Sequence, residues 1–425
     1  MKILVVGGGG REHAIIRKLR ENPEVTAIFA LPGNAGIAAD ATCVPIRATD
    51  IDGIVDYVRE NPVDFAVVAP DDPLALGCVD RLHTLGVPCF GPNAAAARIE
   101  ASKVFAKDLM KKYNIPTAAY EVFEDAGKAL EYVKSCPLPV VVKADGLALG
   151  KGVTICATRD EAVNAVKAAM IDGAFGASGS RIVVEEFLEG PEVSVLAFTD
   201  GHVVKPMVSS MDHKRVGDGD VGPNTGGMGT IAPNPCYTPA VAERCMKEIF
   251  LPTIAAMNAE GCPFKGCLYF GLMVTASGPK VIEYNCRFGD PETQVVLPLL
   301  KSDLLTIMRA VESETLADTP VEFMDGAACC VMLASGGYPG GYAKGKVIDL
   351  GAAADMAQVF HSGTGRDADD NLVTAGGRVL GIACTADDLE TAIKRAYAAA
   401  GQVEWEGMIY RKDIGQRALR ILKGE

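Results

Sequence analysis

Apolar and polar positions alternate along the first hundred residues with two different periods. Residues 2–6, 26–30, 65–69 and 87–90 are short apolar runs that predict buried strands. Residues 11–20, 51–60 and 73–85 place apolar side chains three and four apart and predict helices. Strand and helix in regular alternation predict a parallel sheet with helices on its faces. Small ligands bind such sheets at the carboxyl ends of the strands. The first of those ends runs directly into Gly7-Gly8-Gly9-Gly10-Arg11-Glu12-His13.

Beyond the first hundred residues the elements lengthen. Ile99, Phe105, Leu109 and Tyr113 predict one helix over 99–113, closed by Asn114-Ile115-Pro116. Residues 139–142 and 153–156 read as strands, and Thr158 with Glu161 forms a capping box that opens the next helix. Residues 181–194 read as strand, turn, strand, and 268–275 as a strand that turns at 277–279 into a second one from Lys280. The last hundred residues are α+β, with a strand at 327–334, strands around Val359 and Val379, and a helix over 389–400.

Composition narrows the class. The 425 residues suggest about three domains at roughly 150 residues each. With 49% hydrophobic and 22% charged residues, disorder of the whole chain is excluded. Apolar runs such as 139–142 and 327–334 are too short to span a bilayer, and the opening 1–6 reads as a strand rather than a signal peptide. A net charge of −13 leaves no basic surplus for nucleic acid, although a small anionic substrate needs only a few local donors. The 13 Cys, odd in number and without a CxxC pair, predict reduced thiols and a cytoplasmic protein. The five His are scattered, which argues against a His/Cys metal site.

Four segments carry candidate chemistry. The glycine turn at 7–10 lacks the third glycine of a dinucleotide fingerprint, and Phe29-Ala30-Leu31-Pro32-Gly33 lacks its ribose-binding acid. What remains is an anion-binding helix start or a tight structural turn. Lys143-Ala144-Asp145-Gly146-Leu147-Ala148-Leu149-Gly150-Lys151-Gly152 has Asp145 and Gly152 where a Walker loop needs Gly and Ser or Thr. It joins two strands, which suits a glycine flap over nucleotide phosphates, with Lys143 at its base and Lys151 at its tip. Glu185, Glu186, Phe187 and Leu188 are candidates for adenine bonding and Glu192 for a ribose diol; the other reading is a polar strand end. On the strand from Lys280, Glu283 and Asn285 share one face, a hard oxygen pair suited to Mg²⁺, beside Arg287, whose fork can hold a carboxylate. Between these segments, 209–215 and 222–229 form a polar, irregular stretch whose Asp212-His213-Lys214-Arg215 and Asn224-Thr225-Gly226-Gly227 could bind a phosphorylated sugar, or simply make a charged loop.

The segments at 145–152, 185–192, 212–215, 224–229 and 283–292, with Gly9-Gly10-Arg11-Glu12-His13 near the start and Arg411-Lys412-Asp413-Ile414-Gly415 near the end, resemble the phosphoribosylamine–glycine ligase family of the ATP-grasp superfamily. The match runs the full length in order. Asp71 and Met211, in or near the substrate loops the resemblance implies, stand where the family commonly has Glu and Gln. The resemblance implies an α/β and α+β multidomain protein: an N-terminal parallel-sheet domain at 1–101, an ATP-grasp domain at 102–325 with a lid subdomain at about 120–190, and a C-terminal α+β domain at 326–425. It implies ligation of glycine to 5-phosphoribosylamine with ATP, through glycyl phosphate, in purine biosynthesis, by a monomer or weak homodimer.

Under that resemblance Mg²⁺ or Mn²⁺ sits on Glu283 and Asn285. Lys103, Lys143 and Lys151, with Gly150 and Gly152, lie near the phosphates. Lys107, Lys111 and Lys112 are expected to be ordinary surface charges. Arg287 holds the glycine carboxylate, with Asp290 in the same substrate site, and Asp212 or His213 accepts the amine proton. Gly8, Gly9, Gly10 and Arg11 hold the sugar phosphate with Lys214 and Arg215, and Gly336-Gly337-Tyr338-Pro339 closes from the far side. Another ATP-grasp carboxylate–amine ligase or carboxylase would keep the nucleotide residues and change the acceptor. A nicotinamide oxidoreductase is disfavoured by the two missing fingerprint elements.

Overall fold

The computed structural model describes residues 1–147 and 152–425. Gly150 and Lys151 lie outside the described residues. The first hundred residues form a five-stranded parallel sheet in the order Thr42–Cys43, Ala27–Pro32, Lys2–Gly7, Phe65–Val68, Cys89–Phe90. Ile3, Leu4, Val5 and Val6 on the central strand are fully buried, which is why that strand reads as an unbroken apolar run. Strand order reverses beside it, so the glycine turn after Gly7 and the loop at 69–71 flank the switch point.

Two helices expected to be continuous are broken. The 73–85 stretch is two short helices, Asp71–Ala75 and Cys78–Thr84, parted by Gly77 at φ +80°. The 99–113 stretch breaks at Ser102, whose extended backbone ends Ala94–Ala101 and whose hydroxyl caps Lys103–Lys112 by accepting from Phe105 N at 3.1 Å. Apolar periodicity runs through both breaks because both halves bury a face.

Two antiparallel four-stranded sheets follow. One orders Tyr120–Phe123, Ile182–Glu186, Val140–Ala144 and Val153–Cys156, and its helix Arg159–Met170 opens at the expected Thr158–Glu161 capping box. The other orders Val204–Pro206, Glu192–Thr199, Gly266–Thr275 and Gly278–Asn285. In its last pair Gly271 faces Glu283 but Leu272 faces Val281, a bulge that leaves Ile282 as the extra residue. Phe90, Phe198 and Phe288 pack with ring centroids 5.9–6.2 Å apart and join this sheet to the N-terminal one.

The last sheet runs Met211–Asp212, Gly229–Ala232, Ala327–Ser335, Arg378–Ala386, Gln358–His361, with Met408–Ile409 pairing Ala327–Ser335. Helix Leu389–Ala400 covers it with Leu389, Ala392, Ile393 and Ala396. Its first two strands come from the stretch expected to be irregular. Met211 is therefore a core residue of this sheet, not part of a substrate loop.

Side chains tie the C-terminal sheet to the rest. Asn34 Nδ2 donates to the Gly8, His361 and Ser362 carbonyls at 2.8–3.2 Å. His13 Nδ1 accepts the His361 N–H at 2.8 Å while Nε2 faces Asp40 at 3.2 Å. Arg411, fully buried, donates to Asp413, Asp220 and the Arg215 carbonyl at 2.7–3.1 Å, and Asp413 accepts the Gly219 N–H at 2.8 Å. This clasp holds the hairpin of Arg215–Gly217 and Val221–Asn224 against the chain end. All 13 Cys are free, and among the described residues no helix is long and apolar enough to cross a membrane.

Two outcomes follow from these ties. Arg411→Met should cost about 2 kcal/mol. Hydrogen exchange should quicken over 213–224 and stay unchanged in the five-stranded sheet; equal exchange at 213–224 would remove the clasp. Burial, then the neighbouring His13, pushes His361 down to about 3, and burial pushes His13 down despite Asp40. Both are neutral when folded and take protons when unfolded, so their stability is present above about pH 6.5 and lost as pH falls towards 3. The melting temperature of the wild type should therefore fall more between pH 7 and 5 than that of His361→Asn, and parallel profiles would refute the linkage.

Candidate active site

The faces of three segments meet around strand Gly278–Asn285. Glu283 and Asn285 lie two residues apart beyond the Ile282 bulge, on one face as the alternation predicts. Lys214 stands between two carboxylates, 3.2 Å from Glu192 Oε2 and 3.6 Å from Glu283 Oε1. Burial by itself would raise the Glu283 carboxyl, but Lys214, Lys143, Lys103 and Arg287 outweigh it and hold it below the ordinary value. A carboxylate held ionised and an amide oxygen on one face are a hard donor pair that fits a divalent ion, while the surrounding ammonium groups suit phosphate oxygens. Lys214 and Arg215, expected together on a sugar phosphate, separate here. Arg215 turns into its own hairpin, donating to the Gly222 carbonyl at 2.7 Å.

Besides Lys214, two lysines reach this face. Lys143 Nζ lies 3.0 Å from Glu185 Oε1 and donates to the Ile282 carbonyl at 3.0 Å. Lys103 Nζ donates to the Gly146 carbonyl at 2.9 Å, at the base of the flap. Asp145 steadies that base, accepting from Ser102 Oγ, Val104 N and Arg181 Nε at 2.7–3.1 Å. Lys107 meets Glu185 instead, and here the expectation fails: it is buried rather than solvated, 3.0 Å from Glu185 Oε2. Its spacing of four from Lys103 was the available signal, because i and i+4 share a helix face.

The segment expected to meet adenine is partly an anchor. Glu185 is buried beneath the two lysines, whereas Glu186 is exposed and pairs with Ala119 in both directions, at 2.9 and 3.2 Å. Leu188 packs with Ala118, Met273 and Ile282 in a small apolar cluster, Phe187 is half-buried beside it, and Glu192 is exposed. Gly152 closes the flap base, its carbonyl accepting from Ala144 N at 2.8 Å.

Arg287 is not an open fork. Its Nη2 donates to Glu100 Oε1 at 2.8 Å and Asn285 Oδ1 at 3.3 Å, and Nη1 to the Phe288 carbonyl at 3.3 Å. A substrate carboxylate would therefore meet one remaining edge rather than a free bidentate pair. Glu100, which the sequence did not single out, also accepts the Cys286 N–H at 2.7 Å and so ties the first domain's last helix to this strand. Burial raises Glu100 despite Arg287, whereas Asp71, also raised by burial, is brought below its usual value by Arg287 and Arg11.

The glycine turn meets the C-terminal sheet across Asp290. A Cβ on Gly8 would strike the Gly33 carbonyl, and one on Gly10 would meet Ser362 Oγ at 2.6 Å and Gln294 Nε2 at 2.7 Å. A Cβ on Gly9 would lie 3.6 Å from Asp290 Oδ2, which fixes how closely turn and acid approach. Arg11 is a correction. It is buried, donating to Glu12 Oε1 at 2.6 Å and the Phe288 carbonyl at 3.1 Å, so it braces the turn from within. Arg378, also unforeseen, pairs with Asp290 Oδ2 at 3.1 Å and donates to the Gly226 carbonyl at 2.7 Å. Tyr338 OH accepts the Gly226 N–H at 3.0 Å. The loops 224–227 and 336–339 thus meet near Asp290, with Thr225 Oγ1 donating to the Lys214 carbonyl at 2.8 Å. Gly337 lies in the left-handed region at φ +95°, beside Pro339. Asn224 pairs with Arg215 across the hairpin.

His213 is the second correction. Its Nδ1 donates to the Gly229 carbonyl at 3.0 Å, and its Nε2 accepts the Gly415 N–H at 3.1 Å. Both nitrogens are spent on backbone, and burial followed by Arg411 pushes it down to about 4, so it pins strands rather than taking a proton. Asp212 accepts the His213 N–H at 2.7 Å. Burial and then Glu292 push its carboxyl well above the usual range. Glu292, buried, accepts from Tyr269 OH at 3.1 Å, and Tyr269 shares a 2.8 Å hydrogen bond with Ser194.

Known proteins share this arrangement along the whole chain. Three domain models of phosphoribosylglycinamide synthetase match: the N domain at 1–100, the ATP-grasp (A) domain at 101–293 and the C domain at 328–417. The phosphoribosylamine–glycine ligase of Agrobacterium fabrum is 48% identical over 99% of both chains. That of Vibrio cholerae is 47% identical over 99% of both. The crystal structure of phosphoribosylamine–glycine ligase from Thermotoga maritima, 35% identical, superposes with a TM-score of 0.87 over 97% of this chain and 100% of that one. Biotin carboxylase from Campylobacter jejuni, at 15% identity and a TM-score of 0.73 over 96% of this chain and 92% of its own, shares the fold alone. With domain models matching at both ends and in the middle, the chain belongs to the phosphoribosylglycinamide synthetase family, with its parallel-sheet N domain, ATP-grasp domain and C domain.

Proposed function

We propose that this chain catalyses ATP + glycine + 5-phosphoribosylamine → ADP + phosphate + glycinamide ribonucleotide, the glycine ligation step of purine biosynthesis. Family membership along the whole chain supports the reaction. The carrying structural observation is the Glu283–Asn285 face with Lys103, Lys143 and Lys214 turned towards it. A biotin carboxylase shares the fold only, and no residue here favours a carboxylase. The domains divide at 1–101, 102–325 and 326–425, with strands Met211–Asp212 and Gly229–Ala232 crossing into the last sheet.

A carboxylate resists amines because its leaving group would be oxide. Transfer of the γ-phosphoryl to glycine gives glycyl phosphate, the amine attacks its carbonyl, and phosphate leaves. Such transfers need positioning and charge neutralisation more than a protein nucleophile. Glu283 and Asn285 would hold a divalent ion, Mg²⁺ or Mn²⁺, which would supply charge neutralisation to phosphate oxygens. Lys103 and Lys143 supply fixed positive charge beside the phosphates; Lys151 and Gly150 are assigned to the same group from the sequence alone. The cluster of Ala118, Leu188 and Met273 lies where adenine would stack beside 185–188, with Glu192 near the ribose. The remaining edge of Arg287 and Asp290 orient glycine. Gly8–Gly10, with 224–227 and 336–339, enclose the sugar phosphate by backbone donors, Arg11 and Arg215 having turned inward. Asp212, with its raised carboxyl, is the remaining candidate for the amine proton.

Phosphate release measured with glycine or phosphoribosylamine omitted in turn should require both, with the product mass appearing only in the complete mixture. Release without glycine would overturn the reaction. Glu283→Ala should lose about 100-fold or more in turnover, while Lys214 keeps Glu192 as partner and the melting temperature stays near wild type. Full turnover in that folded variant would remove the metal assignment. Arg287→Lys should raise the KM for glycine and lower stability together, because Lys cannot keep both Glu100 and a substrate carboxylate. A raised KM with unchanged stability would mean that the Glu100 pair does not restrain Arg287.

A further inference from the structure

Glu185 is one buried carboxylate facing two buried ammonium groups. Lys107 reaches Oε2 from helix Lys103–Lys112 at 3.0 Å, and Lys143 reaches Oε1 from strand Val140–Ala144 at 3.0 Å. One negative charge cannot neutralise two positive ones, so the triad keeps a net charge of about +1 in a low-dielectric site. The surplus has a direction. Lys107 is enclosed, donating also to Thr117 Oγ1 at 2.8 Å and lying 5.6 Å from the Tyr120 ring centroid. Lys143 borders the Glu283 face through the Ile282 carbonyl.

We infer that Lys107 is a positioning residue for the nucleotide phosphates: by taking half of Glu185 it leaves Lys143 free to present uncompensated positive charge to them. Without Lys107, Glu185 and Lys143 form a neutral pair and the phosphates lose one charge of attraction. The inference rests on the reading of Lys143 as a phosphate neighbour. The buried excess is costly, and a single lysine would already neutralise Glu185.

The same enclosure makes the charge titratable. Burial pulls Lys107 down to about 8 against the pull of Glu185, with Lys143 and Lys280 adding to the fall. Lys111, on the same helix, lies 5.6 Å from the Tyr120 ring, whose hydroxyl donates to Asp108 at 2.7 Å. A lysine with a lowered value carries its charge below about pH 8 and loses it above, so phosphate affinity should fall as pH rises through that value. Lys103, lowered chiefly by burial, faces the same site and is the competing source of such a limb.

The test is calorimetric binding of MgATP and of adenosine to the full-length protein between pH 6.5 and 9.5. Wild type should bind MgATP several-fold more weakly at pH 9 than at pH 7. Lys107→Met, in which Lys143 still satisfies Glu185, should bind MgATP several-fold more weakly at pH 7 and show a flat profile. Adenosine, which has no phosphate, should bind both proteins alike; equal weakening of adenosine and MgATP would indicate general damage and overturn the inference. A limb that persists in Lys107→Met would assign it to Lys103 and also overturn it. Lys107→Arg, which cannot lose its proton, should restore MgATP affinity and flatten the profile; Lys107→Gln replaces Lys107→Met if the latter fails to fold. MgATP binding equal in wild type and a folded neutral variant would sink this inference alone, whereas wild type that binds no MgATP would sink the nucleotide reading beneath it.

Discussion

A charge removed from water must be met by an opposite charge or by several hydrogen bonds, and that requirement organises this molecule. Glu185 is met by Lys107 and Lys143, Glu100 by Arg287, Asp290 by Arg378, and Glu283 by Lys214. Each pair joins segments far apart in the chain. Such pairs add little net stability compared with well-packed apolar residues, but losing one partner is costly. Their contribution is therefore positional: they fix five cations, Lys107, Lys143, Lys214, Arg287 and Arg378, each against a carboxylate from another segment.

Small backbone devices aim those side chains. The Ile282 bulge shifts the register just before Glu283 and so resets which face the Glu283–Asn285 pair shares relative to the strand's first half, and the Ser102 break lets Glu100 and Lys103 serve different partners from neighbouring positions. Asp145 secures the break by accepting Val104 N at the new helix start, where a negative charge suits the helix dipole. The glycine turn after Gly7 works by subtraction, since side chains at Gly8 or Gly10 would strike Gly33, Gln294 and Ser362.

The C-terminal sheet is less separate than its position in the chain suggests. It takes Met211–Asp212 and Gly229–Ala232 from the middle of the chain, so the loop between them is held at one end by that sheet and at Gly226 by Arg378, which also donates to the Asp290 carbonyl. His213 and Arg411 serve this assembly rather than the chemistry. A histidine with both nitrogens bonded to backbone carries a constant tautomer and no exchangeable role.

Local patterns determined much by themselves. Unbroken apolar runs marked the N-terminal strands, the Thr158–Glu161 box marked a helix start, and strand alternation paired Glu283 with Asn285, because each depends on neighbours within a few residues. The motifs in their order also revealed the family. Tertiary structure alone decided which charges are buried. Lys107, Arg11, Glu100 and Arg378 look like surface residues in sequence, and their partners lie from 1 to 277 positions away. Whether a lysine is solvated or buried depends on what packs over it, and periodicity carries no information about chain segments that meet only after folding.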